Sequence, residues 1–267
     1  MKPGLPSSEP LEVRVAGQLA TVTLKRPDKL NPLDWATVKA LLAGFRALDR
    51  DAGVRVVVVT GSGRAFSAGG DLEGYVELYR KPAEFRRFLD DFNALLDTIE
   101  RSAKVVVAAV NGPCVAGGLE LMLACDMVIA SEEATIGDGH LNYGQLPGAG
   151  GSQRLPRAIG VLRAKDLIFT GRLLDGREAA RIGLVTKAVP AAQLDASIEA
   201  LVAELLDKSP AGLKGAKHLI NEGMRGDLAT GIARELDHVH DYACTNPDAT
   251  EGLVAFKEKR KPMFGAD

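Results

Sequence analysis

Two glycine-rich segments carry the first sign of chemistry in this 267-residue chain. One is Ala65-Phe66-Ser67-Ala68-Gly69-Gly70-Asp71-Leu72; the other is Asn111-Gly112-Pro113-Cys114-Val115-Ala116-Gly117-Gly118-Leu119-Glu120. Each follows an apolar run of strand length. Small residues let a ligand approach the main chain closely, and N–H groups at a turn or helix start have no intrahelical acceptor and point at negative charge. Two such turns can form a hole for an oxyanion, and an acid on the helix opening after the second, Glu120, can move a proton. Alone, either segment also reads as a tight turn packing helix on strand, and Glu120 as a partner of the helix dipole. The combination favours the chemical reading.

The elements around these turns read as an α/β fold. Leu11 to Ala16 and Leu19 to Leu24 alternate about Gly17-Gln18, which predicts a hairpin. From Asp34, apolar residues at Val38, Leu41, Leu42, Phe45 and Leu48 recur at helical spacing, and Val54 to Thr60 is a β-branched strand. A second amphipathic helix carries Phe85, Phe88, Phe92, Leu95 and Ile99 and leads to the strand Val105 to Val110. A helix from about Gly117 to Ala124 and the strand Met127 to Ala130 continue the order, as parallel crossover units require. Beyond about Gly151 strand signals thin, and Leu194 to Leu206, Ala211 to Met224 and Leu228 to Ala243 read as helices before a polar tail from Lys257 to Asp267.

Other chemistries are poorly served. Charged residues are 25% of the chain and net charge is −2, which gives no basic field for nucleic acid or anionic lipid. Cys114, Cys125 and Cys244 are too few and scattered for a disulfide framework or a zinc site, and suit a reducing compartment. Met1 to Pro10 lacks the apolar stretch of a signal peptide, and no apolar run is of membrane-spanning length, so the expected place is the cytoplasm. Gly61-Ser62-Gly63 follows a strand, but Phe66 stands where a dinucleotide fingerprint needs glycine. His238 and His240, two apart in a helix, face different ways and hold no common metal, and His218 reads as a packing or surface residue.

From Leu11 to the tail the chain resembles the crotonase superfamily of enoyl-CoA hydratases and isomerases. The matching stretches, in order, are Arg26-Pro27-Asp28-Lys29-Leu30-Asn31-Pro32-Leu33, Phe66 to Leu72, Asn111 to Glu120, Pro147-Gly148-Ala149-Gly150-Gly151-Ser152-Gln153-Arg154-Leu155, and Ala255-Phe256-Lys257-Glu258-Lys259-Arg260. The resemblance implies a crotonase-like spiral of strand–helix (ββα) units over residues 1–200 and a helical C-terminal oligomerisation region over 201–267, assembling homotrimers or homohexamers. It puts the two oxyanion donors at the main-chain N–H groups of Ser67 and Gly117. Coenzyme A, part of the substrate rather than a separate cofactor, would lie along Ala65, Phe66, Ala68, Gly69, Gly70, Asp71 and Leu72. Lys29 and Leu30 would sit near its nucleotide end, with Phe256 and Lys259 reaching in from a neighbouring subunit; both lysines also fit plain solvated charges. Tyr75, Val76 and Tyr79 fall in the variable segment beside the acyl group.

Glu120 matches the first of the two glutamates that family hydratases use, while the second position holds His140. Acyl-CoA chemistry at this site would develop charge on the thioester oxygen, with Glu120 and His140 moving protons. The implied reaction is hydration of a 2-enoyl-CoA. The alternatives are enoyl-CoA isomerisation, hydrolysis or carbon–carbon cleavage of a β-keto substrate, and non-catalytic acyl-CoA binding. Asp138-Gly139-His140 resembles the cleaving enzymes, but Ala149 stands where those carry an Asp. Nothing in the sequence suggests a metal, flavin or nicotinamide.

Overall fold

The computed structural model describes residues 10–265. The reading of residues 1–10 as no signal peptide, like the last two residues of the tail, therefore falls outside the described residues, Pro10 excepted. Strands β1 (Leu11–Ala16) and β2 (Leu19–Leu24) pair antiparallel, Leu11 opposite Leu24 and Ala16 opposite Leu19, as their alternation predicts. The chain passes through α1 (Trp35–Arg50) to β3 (Val56–Gly61), and through α2 (Leu72–Tyr79) and α3 (Pro82–Arg101) to β4 (Val105–Val110). It then runs through β5 (Cys114–Val115) and α4 (Gly117–Leu123) to β6 (Met127–Ser131). After β7 (Thr135–Gly137), α5 (Gly151–Ile159), α6 (Val161–Thr170), β8 (Leu174–Asp175) and α7 (Gly176–Arg181), strand β9 (Lys187–Val189) completes a sheet ordered β1-β2-β3-β4-β6-β9. Every neighbour pair from β2 onward is parallel. A second sheet, β5-β7-β8, stands beside it.

The valine runs lack alternation because both faces of the large sheet are covered. On one face Val57, Val59, Val106, Ala108 and Val110 belong to the main core with Leu41 and Phe45 of α1 and Phe92 and Leu95 of α3. On the other, Val56, Val58, Val105, Val107 and Ile129 cluster with Ile198 and Val202 of α8 (Leu194–Leu206). Helix α1 begins where its cap predicts, the Asp34 carboxylate accepting the Thr37 N–H at 2.8 Å.

Helices α9 (Pro210–Gly223), α10 (Leu228–Thr245) and α11 (Pro247–Glu258) form the helical C-terminal region that the sequence leads one to expect. The boundary expected at residue 200 falls within α8, and the tail expected from Lys257 begins inside α11. Among the described residues no helix is long and apolar enough to cross a membrane.

One buried cation joins α9 to the core. Lys217 Nζ donates to Ile99 O (2.9 Å), Lys104 O (2.9 Å) and Asp126 Oδ2 (2.8 Å), so it closes the end of α3 and neutralises an inner carboxylate. Burial pushes the Asp126 carboxyl above its ordinary range, with the Lys217 charge pulling the other way. Lys217→Met therefore leaves a buried charge without its partner, and denaturant unfolding should show a loss of about 3–5 kcal/mol. Pairing it with Asp126→Asn should recover part of that loss; no recovery would show that the lysine acts only by packing.

Candidate active site

Strands β3 and β4 are parallel neighbours, so the turns leaving their ends lie together. Asn31, buried and at φ 54°, sits under the first of them. Its side chain donates to Ser62 O (3.0 Å) and Ala65 O (2.8 Å) and accepts from the Arg26 N–H (2.9 Å). The main chain adds Ala68 N–H to Leu30 O (2.9 Å) and Leu33 N–H to Gly69 O (2.8 Å). Gly69 lies at φ +95°, and a Cβ there would stand 2.9 Å from Val115 O and 3.3 Å from Gly117 N. Only glycine lets the first turn rest on the second.

Ser67 is not free to be the donor that the resemblance assigned to it. Its N–H donates to Pro113 O at 3.0 Å and its carbonyl accepts from the Val115 N–H at 3.0 Å, a parallel bridge to Cys114. Its hydroxyl donates to Asn31 O at 2.8 Å. The N–H of Gly70, by contrast, has no acceptor among the described residues, and neither has that of Gly117 at the first position of α4. Gly70 and Gly117 thus supply an open main-chain donor on each turn. The phenol of Tyr75 lies against Gly70, its Oη 2.2 Å from where a Cβ would be. Burial first, then the charge of Glu120, holds the Tyr75 hydroxyl neutral well above its ordinary range.

Glu120 is in the first turn of α4, 2% exposed. Its Oε1 accepts the N–H groups of Ala149 and Gly151, both at 2.8 Å, at the turn that opens α5. Burial pushes the carboxyl above its ordinary range, opposed by the Gly151 N–H and the charge of His140. His140 opens a 3-10 turn after β7. Its Nδ1 is 3.1 Å from Asp138 Oδ2, and its own N–H donates to Asp138 Oδ1 at 3.3 Å. Burial alone would lower the imidazole, but the hydrogen bond and charge of Asp138 and the charge of Glu120 raise it on balance. Asp138, fully buried, joins the site beside the expected residues, and its signal in the sequence is an acid two residues before a histidine across a glycine.

The remaining expected residues divide. Ala65 and Phe66 are 1% and 0% exposed, so they fill the core beneath the loop, and their side chains cannot touch a coenzyme. Gly69 is also buried, Ala68 is exposed, and Leu72 is half exposed. Asp71 caps α2 through the Gly74 N–H at 3.4 Å. Lys29 stands exposed at the end of the turn Pro27–Lys29, and Leu30 follows at φ 58°. Phe256, 86% exposed, and Lys259 are on the last turn and cap of α11, which packs on α9 and α10; a single chain does not bring them onto the two turns. A cavity of about 610 Å³ lies instead beside α9 and α10, lined by Arg101, His218, Glu222, His238 and Tyr242 among others, and holds none of the expected site residues.

A family model described as enoyl-CoA hydratase/isomerase matches residues 14–267. Among curated proteins, the chain is 38% identical over 248 residues to a putative enoyl-CoA hydratase/isomerase, YngF, of Bacillus subtilis, covering 92% of this chain and 94% of that one. It is 36% identical to the short-chain-enoyl-CoA hydratase of Clostridium acetobutylicum, over 92% of this chain and 93% of the relative. Among solved structures, an enoyl-CoA hydratase from Bacillus anthracis superposes with a TM-score of 0.91 at 35% identity, covering 97% of this chain and all of that one.

Proposed function

Because the chain belongs to the enoyl-CoA hydratase/isomerase family, we propose that it reversibly adds water to a 2-enoyl-CoA. The observation that carries the reading is the pair of open N–H donors, Gly70 and Gly117, beside the buried Glu120 and the half-buried His140. The thioester oxygen lies between the two donors and takes up the negative charge that develops when water attacks the β-carbon. Glu120, its oxygen fixed by two N–H groups, takes the proton from that water. His140, whose neighbours favour the imidazolium, gives a proton to the α-carbon. Two groups of opposite protonation state, each shifted by the other, suit one acid and one base. No separate cofactor enters these steps.

Isomerisation uses the same enolate and is the second reading. Carbon–carbon cleavage is less well served: Ala149 offers only its N–H, which Glu120 takes. A product assay by mass over enoyl-, β-keto- and hydroxyacyl-CoA thioesters separates the three, as a gain of water, an unchanged mass with a shifted double bond, or a split product. Absence of the water adduct from every enoyl-CoA tested would end the hydratase reading.

The C-terminal region is read as the assembly surface of a homotrimer or homohexamer. Leu228 and Leu236 of α10 are 79% and 66% exposed in the single chain, as is usual for residues covered by a second copy. Phe256 and Lys259 would then serve a neighbour's coenzyme site. The free thiols of Cys114, Cys125 and Cys244 accord with the cytoplasm.

A further inference from the structure

We propose that Asp138 is a positioning residue that holds His140 in one tautomer and one ring orientation, so that Nε2 is the atom presented to the acyl group. The inference rests on His140 acting in the proposed reaction. Its support is geometric. Asp138 is fully buried, and both of its carboxylate oxygens are spent on the same residue: Oδ1 on the His140 N–H at 3.3 Å, Oδ2 on Nδ1 at 3.1 Å. A carboxylate accepts and does not donate, so Nδ1 carries the hydrogen and Nε2 is left for other work. The Oδ2 contact is the one on the ring, and the Oδ1 bond to the main-chain N–H holds the carboxylate so that this ring partner stays in place. The backbone makes this possible through Gly139 at φ +65°, which folds the chain so that residues 138 and 140 meet; a Cβ there would also stand 2.8 Å from Val115 Cγ1.

Holding a proton at Nδ1 has a consequence for the donor role. An imidazolium flanked by Asp138 keeps Nδ1–H after it releases the Nε2 proton, so one nitrogen works and the other only anchors. The charges acting on the ring are Asp138 from its own loop and Glu120 from α4. Removing the first weakens the imidazolium and reverses the preferred tautomer, while leaving Glu120 in place. The simpler role for Asp138 is to cap the 3-10 turn through the His140 N–H alone. Asn at 138 separates the two, since its amide oxygen still caps while its NH2 group faces Nδ1 and disfavours a hydrogen there.

The test follows kcat and KM against pH for the parent, Asp138→Asn and His140→Ala, with ¹⁵N spectra of the histidine rings assigned by the Ala variant. In the parent, the His140 ring should be the Nδ1–H tautomer when neutral. Asp138→Asn should lower kcat about 100-fold with little change in KM, between the loss typical of a histidine's outer partner and that of a reversed tautomer. Its alkaline limb should move to lower pH. Combining it with His140→Ala should cost no more than His140→Ala alone. A parent ring found as Nε2–H, or an Asn variant with the parent's rate and limb while His140→Ala is slow, overturns the inference and leaves the hydratase reading standing. A His140→Ala variant as fast as the parent removes His140 from the reaction and the inference with it.

Discussion

Glu120→Gln is expected to lower turnover about 100- to 10 000-fold while leaving substrate binding close to that of the parent. The amide keeps the length and planarity of the acid, and its oxygen can still accept the Ala149 and Gly151 N–H groups, so the turn before α5 survives. What disappears is the base. The sign of the pH dependence follows. Glu120 works ionised and burial raises its carboxyl above the ordinary range, so the parent should lose activity as pH falls through that raised value, earlier than a solvent carboxylate would. His140 works protonated and is also raised, so activity should fall on the alkaline side as the imidazolium loses its proton. The limbs belong to the coupled pair rather than to either residue. The Gln variant should lack the acid limb. Turnover near the parent's, with that limb intact, would make Glu120 a structural clamp on the turn before α5 and nothing more.

Gly117→Pro should cost about 100- to 1000-fold in turnover, the usual price of one oxyanion donor. Proline removes the N–H at the first position of α4, where it breaks no bond within the helix, but Ala116 before it lies at φ 52° and ψ −119°, outside the extended range that a residue before proline adopts, so the variant's fold is measured as well. The contrast is Ser67→Ala. It gives up a hydroxyl bonded to Asn31 O but leaves the main-chain ladder in place, so its turnover should stay within a few-fold of the parent's. A fast Gly117→Pro would remove Gly117 from the hole, and a slow Ser67→Ala would show that the hydroxyl bond to Asn31 O is needed to hold the first turn. A circular dichroism melt on each variant separates lost chemistry from lost fold.

The hairpin, β4 and α8 were legible to the residue because periodicity is strong where one face or both are buried: Leu11–Ala16, Val105–Val110 and Leu194–Leu206 begin and end as their patterns predict. The short strands β5, β7, β8 and β9, two or three residues each, carry no period to detect. That gap explains the error at Ser67. A run of small residues says that a main chain is open to approach, but whether a given N–H is open depends on which strand lies beside it, and Cys114 lies beside Ser67 through pairing across 47 residues of chain. Gly70, three residues on, has passed the end of that ladder. Asp138 escaped for a different reason: its importance comes from a glycine at positive φ that brings residues 138 and 140 together, a contact that helix and strand spacings do not encode. Phe256 and Lys259 lie on α11, away from the two turns of their own chain, so their expected place at a coenzyme rests on the proposed assembly.

The small second sheet also sets when this site comes into being. Ser67 bridges to Cys114, Val115 pairs with Gly137, and the Ala116 N–H reaches Gly137 O at 3.2 Å, so the segments leading to Gly70, Gly117 and His140 hang from one ladder. These segments are far apart in sequence, and their pairing waits for the large sheet to bring them together. A folding intermediate with the hairpin and β3 in place would have none of the site. Once the ladder closes, its main-chain bonds tie the three segments to one another, so local fraying does not release the oxyanion donors one at a time. Inactivation by heat or denaturant should therefore coincide with global unfolding rather than precede it.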